Sequence, residues 1–444
     1  MGGDYNPYDI SDNNFCNNGL VSPDRKPHPH MKEVAHQYRN IIVTPVDLLQ
    51  GMVNVSNEYI FTDLSDYILQ WSVLENGKPI LKGMIDNLNT NPGSTEIITL
   101  PYSLHKKLNT EYLLNVDFIT KREKQLIPAG FNISQNQLEI SPYQFEISPS
   151  SIGKYKIDND NRKRLIIERE EFKVEFDKKS GMLCKYEIGG KPILNPGSKL
   201  SPIFWRAPID NEYGSGFVRK SKVWRNPEMK LKNLSYEENE GHLLVKSAYE
   251  MPQVNSIYNI IYEIGNDGSL SLKAVLSHDN NIELPEMNRF GIRLPLPSDM
   301  NQSRFYGRGP EENYVDRSSG TFIGIYELES EEQAHPYIRP QETGTHSDIR
   351  WWEQTDKGSF GIKISSKQPF YASALNYDVE SLDNGDEKTQ QHFEDIDPCG
   401  YINLIIDSEQ AGVGGINSWS ELPLKKYRLN TVDKKLEFKI TPIK

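Results

Sequence analysis

The sequence predicts an all-β chain, an immunoglobulin-like sandwich followed by a larger stack of two facing sheets. Three observations carry this. From Gly51 onward, apolar and polar residues alternate with a period of two, as half-buried strands do. Turn-forming strings recur at short spacing, among them Glu75-Asn76-Gly77-Lys78, DKKSG (177–181), IGGKP (188–192) and GNDGS (265–269). A convincing helical period occurs at one place only.

The elements follow in order. Residues 1–30 are rich in Asn, Asp, Gly and Pro and read as irregular loop. In the next stretch Met31, Val34, Ala35 and Tyr38 fall at i, i+3, i+4 and i+7, one face of a helix. Pro27 and Pro29 lie just before it, where proline is tolerated. So short a helix is marginal in water and must pack on something. The period then changes to two. In DYILQWSV, Tyr67, Leu69, Trp71 and Val73 form one face. Asn76-Gly77 suits the positive φ angles of a type I′ hairpin turn. Short strands continue to about residue 148, some seven in ~100 residues, the pattern of an immunoglobulin-like sandwich. The polar, turn-rich segment Ser148 to Lys163 marks a domain boundary. Strand patterning resumes near Arg164 and never yields to helix. The remaining ~280 residues are too many for one small sandwich, and two large twisted sheets face to face would use them.

Composition narrows the function. The 444 residues exceed one ordinary domain, and 36% apolar residues with 23 Tyr and 6 Trp can fill large cores. A net charge of −12 disfavours nucleic acid and anionic lipid as partners. Three scattered cysteines, Cys16, Cys184 and Cys399, form neither a disulfide framework nor a zinc motif. No apolar run approaches the ~18 residues that span a bilayer. The start, MGGDYNPYD, lacks the basic and apolar regions of a signal peptide, which leaves a cytoplasmic or a periplasmic location open.

Few residues suggest chemistry by themselves. Arg206, Asp210, Arg308, Glu311, Glu312, Asp316 and Arg317 sit among aromatics and turn residues, and read as buried or half-buried ion pairs that pin long loops. Glu311 and Glu312 are neighbours and point to opposite faces of a strand, so they are not a convergent pair of carboxylates acting on one bond. His28-Pro29-His30 with His36 lacks the third and fourth ligands of a metal site. Trp351-Trp352 places one ring in the core and one on the opposite face. Gly412, Gly414 and Gly415 let the backbone turn sharply beside Trp419, leaving its indole free to present an apolar face.

Three strings go further: FWRAPIDNEYG (204–214), YGRGPEENYVDR (306–317) and GVGGINSWS (412–420). With residues 2–29 they resemble the carboxy-terminal part of the β-galactosidases of glycoside hydrolase family 2, and the resemblance covers essentially the whole chain. It implies that residues 1–39 are the tail of a catalytic (β/α)8 barrel, 40–148 an immunoglobulin-like domain, and 149–444 a terminal β-supersandwich of galactose mutarotase-like fold. It also implies hydrolysis of terminal β-D-galactosyl residues, as in lactose, by a retaining mechanism whose two glutamates lie upstream of this chain. No catalytic residue is then expected here, and the chain alone should hydrolyse nothing. The resemblance assigns the Phe15 carbonyl and the Asn18 side chain to part of a sodium site beside the galactosyl pocket, and Trp419 to a sugar-stacking position at its mouth. Carbonyl and amide oxygens are suitable hard ligands for such a cation. Sodium and magnesium are implied for the intact enzyme. The implied partners are a galactoside substrate, the amino-terminal half and further copies of the enzyme. A different reading is a stand-alone carbohydrate-binding module built around Trp419. A mutarotase-like epimerase ranks last, because His242, His278, His335, His346 and His392 show no carboxylate partner pattern.

Overall fold

The computed structural model describes every residue except Pro7, Gln125, 279–281, Gln390, 418–420 and Thr431, and the side chain of Cys16. It divides into two compact units, residues 30–144 with 319–325, and residues 1–29, 145–318 and 326–444.

The smaller unit contains α1 (His30–Gln37) and seven strands: β1 (Ile41–Asp47), β2 (Met52–Asn57), β3 (Tyr67–Glu75), β4 (Lys78–Ile85), β5 (Thr95–Thr99), β6 (Tyr112–Thr120) and β7 (Asn132–Ser141). They form two antiparallel sheets, β1-β2-β5 and β4-β3-β6-β7. The alternation in β3 has its expected effect: Tyr67, Leu69, Trp71 and Val73 are buried, joined by Val53, Val55, Leu114, Val116 and Phe118. Asn76 and Gly77 take φ of 45° and 78°, both left-handed, as a type I′ hairpin requires. Helix α1 forms where its period placed it, yet it buries no residue, and Tyr38 just beyond it is 80% exposed. Polar contacts tether it. Glu33 Oε2 accepts from the Gly320 amide at 2.9 Å, and Gln37 donates to Glu33 Oε1 at 2.7 Å.

The larger unit holds β8 (Lys156–Asp158), β9 (Arg164–Arg169), β10 (Phe172–Asp177), β11 (Leu183–Ile188), β12 (Lys191–Pro192), β13 (Ser201–Ile203), β14 (Lys230–Asn239), β15 (His242–Met251), β16 (Ser256–Ile264), β17 (Leu270–His278), β18 (Arg289–Pro297), β19 (Gln302–Gly309), β20 (Phe322–Glu329, which begins in the smaller unit), β21 (His346–Thr355), β22 (Gly361–Leu375), β23 (Tyr401–Gln410) and β24 (Lys434–Ile443). One sheet has five strands in the order β12-β11-β10-β9-β8. The other has twelve, with the path β13-β18-β23-β22-β24-β17-β16-β15-β14 and with β19, β20 and β21 off it. Both sheets contribute to one core, in which Phe176 of β10 meets Tyr262 of β16 edge-on at 5.0 Å between ring centres. This is the all-β, two-sheet architecture expected of a supersandwich.

One expectation fails in detail. The region after Arg164 does yield to helix, in single turns such as α2 (Asp210–Gly214) and Val379–Leu382. Such a turn is too short to show a period. In α2 it is closed by Glu212, whose Oε2 accepts from the Ile209 amide at 3.1 Å.

Candidate functional site

The three motif strings, far apart in sequence, meet at the loop that leaves β23. Arg206 is fully buried and donates from Nη1 to the Ala411 carbonyl at 2.6 Å. Its Nη2 donates to the Gly412 carbonyl and to Glu212 Oε1, each at 2.7 Å. Glu212 accepts further from Asn288 at 3.1 Å. From the other side, the Asp316 carboxylate accepts from the Val413 amide at 3.1 Å and the Gly414 amide at 2.8 Å. An arginine from the first string and an aspartate from the second thus grip the backbone of the third. Both grips are charge-assisted, the stronger class of hydrogen bond.

The glycines of that loop serve a purpose other than the one expected. Gly412, Gly414 and Gly415 are absent from the positive-φ residues. A Cβ on Gly412 would lie 2.4 Å from Asp316 Oδ2, and one on Gly415 would lie 2.3 Å from Asn211 Nδ2. Their φ angles do not demand glycine, but polar groups lie so close to the backbone that an added Cβ would force them to shift. Trp419, the expected sugar platform, lies outside the described residues, two positions after the last described residue of the loop, Asn417.

Glu312, Arg317, Arg308 and Asp210 are engaged in ion pairs. Glu312 is buried and accepts from Arg317 Nη2 at 2.6 Å, Thr343 Oγ1 at 2.9 Å, the Gly344 amide at 2.7 Å and the Tyr337 hydroxyl. Burial raises its pKa, but Arg317 and these donors outweigh burial and hold it below the ordinary carboxylate range. A carboxylate so fully engaged has no lone pair left for a substrate. Arg308 pairs with Asp348, and Asp210 with Arg339 at 2.8 Å and Lys388 at 3.2 Å. The tandem tryptophans divide as read. Trp352 is buried and stacks on Phe305 at 4.7 Å, while Trp351 is covered by Lys363 at 4.4 Å and Arg304 at 5.1 Å.

The amino-terminal segment approaches the same neighbourhood. A 3-10 turn, Asn13–Asn17, carries Phe15, and Asn18 follows it; both side chains are exposed. Their carbonyl and amide oxygens match sodium in kind, as neutral hard donors three residues apart. Sequence reasoning missed Asn14. It is buried, and its Nδ2 donates at 2.5 Å to Asp210 Oδ2, so the first motif string anchors the turn that carries Phe15 and Asn18. The available signal was weak, one asparagine in an asparagine-rich stretch. Further along, His28 Nδ1 lies 3.0 Å from His335 Nε2. Burial is the main cause that lowers the pKa of both rings, and each is opposed by nearby carboxylates.

Comparison with known proteins concerns the chain as a whole. Two solved structures overlap it weakly: a putative aldose 1-epimerase from Escherichia coli K12 (TM-score 0.36, 9% identity, 65% of this chain and 99% of that one) and galactose 1-epimerase from Lactobacillus acidophilus NCFM (TM-score 0.36, 10% identity, 66% and 98%). The overlap is too slight to carry an argument. Among curated proteins, the β-galactosidase of Priestia megaterium (strain DSM 319 / IMG 1521) is 28% identical over 425 residues, covering 94% of this chain and 40% of its own length. The β-galactosidase of Actinobacillus pleuropneumoniae is 29% identical over 452 residues, covering 98% of this chain and 42% of its own. The chain therefore spans about two fifths of these relatives. Residues 53–141 match the family described as β-galactosidase, domain 4, and residues 168–441 match β-galactosidase small chain. With well over half of its length matched by the latter, the chain belongs to the β-galactosidase small-chain family.

Proposed function

We propose that this chain is the carboxy-terminal portion of a β-galactosidase that hydrolyses terminal β-D-galactosyl residues, such as that of lactose, with retention of configuration. In a retaining hydrolysis one glutamate attacks the anomeric carbon while a second protonates the leaving oxygen. The second then activates the water that releases the sugar. On this reading an amino-terminal portion outside the chain carries both glutamates. The observation that supports it best is the grip on the loop that leads to Trp419. Arg206 and Asp316 hold Ala411 to Gly414 from two motif strings, and Asp210 of the first string holds Asn14 of the turn bearing Phe15 and Asn18. Such bracing suits loops that must present a few groups to a site completed by another part of the protein. Trp419 then offers an apolar face to the sugar ring. Asn18 contacts the galactosyl pocket and, with the Phe15 carbonyl, contributes to a sodium site. Magnesium and oligomer formation belong to the whole enzyme.

The experiment is a complementation assay. The purified chain is expected to release no product from a chromogenic β-galactoside, and activity is expected on adding a separately produced amino-terminal portion of a family member. Hydrolysis by the chain alone would overturn the reading. Trp419→Ala is expected to raise KM in the complemented enzyme.

A further inference from the structure

A cavity with a different lining opens beside Trp205 of the first motif string. It measures about 140 Å³ and lies between Ile203 of β13, Arg293 of β18, Trp205, Arg225 and Asn226, and the segment Val379 to Gly385. That is roughly tenfold the space one water needs, and enough for a small organic ligand.

Its wall is rigid on one side. Asp383 accepts from Trp205 Nε1 at 2.9 Å, from Arg225 Nε at 2.8 Å and Nη2 at 3.3 Å, and from the Gly385 amide at 2.9 Å. Arg225 also lies over the Trp205 ring at 5.0 Å. With four bonds accepted, Asp383 is spent as an acceptor and acts as a fixed post. The opposite side keeps capacity. Arg293 donates from Nη2 to Glu380 at 2.9 Å, but its Nε is buried with no partner among the described residues. The Glu380 side chain is 61% exposed, and its Oε2 accepts that bond from Arg293. Asn226 is exposed and can both donate and accept. Ile203 and Val379 supply buried apolar surface beside these groups.

The charges of the lining cancel, Arg225 and Arg293 against Asp383 and Glu380. A site for an anion or a cation would carry a surplus of the opposite sign. Balanced donors and acceptors beside a small apolar wall fit a ligand that is neutral, carries several hydroxyls and has one apolar face. We propose that this cavity binds a neutral polyol of monosaccharide size, with the Arg293–Glu380 pair engaging adjacent hydroxyls and Val379 under the ring. The proposal does not depend on the function proposed above.

The test is hydrogen exchange and calorimetry on the full chain, titrated with D-galactose, D-glucose or inorganic phosphate to ~100 mM. Saturable binding of one of the sugars is expected, with new protection in residues 379–388 and little effect of salt. Glu380→Gln is expected to weaken it severalfold, and Val379→Trp, which fills the cavity, to abolish it. Glu380 is exposed enough for its variant to fold if Val379→Trp does not. Protection confined to residues 411–424, preferential binding of phosphate, or no saturation would overturn the proposal.

Discussion

Buried charges decide most at the residue scale. Arg206 and Glu212 form an ion pair with side chains 0% and 5% exposed. Replacing the arginine strands a buried carboxylate and two carbonyls, and breaking such a pair typically costs about 3–5 kcal/mol. Arg206→Ala is therefore expected to lower the unfolding free energy of the larger unit by about that amount, and to speed exchange of the Val413 and Gly414 amides. Denaturant titration and hydrogen exchange measure both. Asp407 gives a prediction in pH. It lies 3.2 Å from Arg289, and burial pushes its pKa up to about 6 against the pull of that arginine. A raised acid binds its proton more tightly when folded. Its contribution is present below the unfolded value near 3.8 and is lost as pH rises through about 6. Asp407→Asn removes this loss. The stability of the variant relative to the parent is expected to improve as pH rises from 4 to 7, as read from denaturant midpoints at each pH.

At the scale of elements, one contact of the amino-terminal segment joins two histidines and titrates. The contact between His28 Nδ1 and His335 Nε2 needs one ring nitrogen to accept, so it cannot survive protonation of both rings. Both pKa values are lowered from 6.5, so the folded state binds fewer protons than the unfolded one. The contribution of this contact is therefore present above that value and is lost as pH falls below it. Limited proteolysis is expected to cut residues 20–29 faster at about pH 5 than at pH 7. Replacement of His335 by Gln is expected to flatten the difference. Helix α1 illustrates another aspect of this scale. Its period was plain from Met31, Val34, Ala35 and Tyr38, but a period records only which face is apolar. It does not name what covers that face, and α1 buries none of its residues.

For the whole molecule, the net charge of −12 predicts that the chain does not bind duplex DNA or anionic vesicles at physiological salt, which co-sedimentation with each checks. Much of the architecture was legible in the sequence. Two-residue alternation predicted the strands and the buried face of β3, and Asn76-Gly77 predicted its hairpin, because these depend on neighbours close in the chain. Single turns such as α2 were not legible, being too short to repeat a period. The candidate site was legible as strings and not as a place. Phe204 to Gly214, Tyr306 to Arg317 and Gly412 onward announce a family. That Arg206 and Asp316 close on one loop, or that Asn14 reaches Asp210, depends on strand order in the twelve-stranded sheet and on loops that cross it. The glycines of the loop make the same point, since side chains from residues 211 and 316 lie where a Cβ would project. By itself, then, the sequence determined the all-β class, the strand faces and the family, since local periodicity and contiguous motifs are properties of the chain. Tertiary structure alone decided which loops are braced and where a second cavity opens, because the contacts that do this, Arg206 to Gly412, Asp316 to Gly414, Asn14 to Asp210 and Arg225 to Asp383, join residues separated by roughly a hundred positions or more.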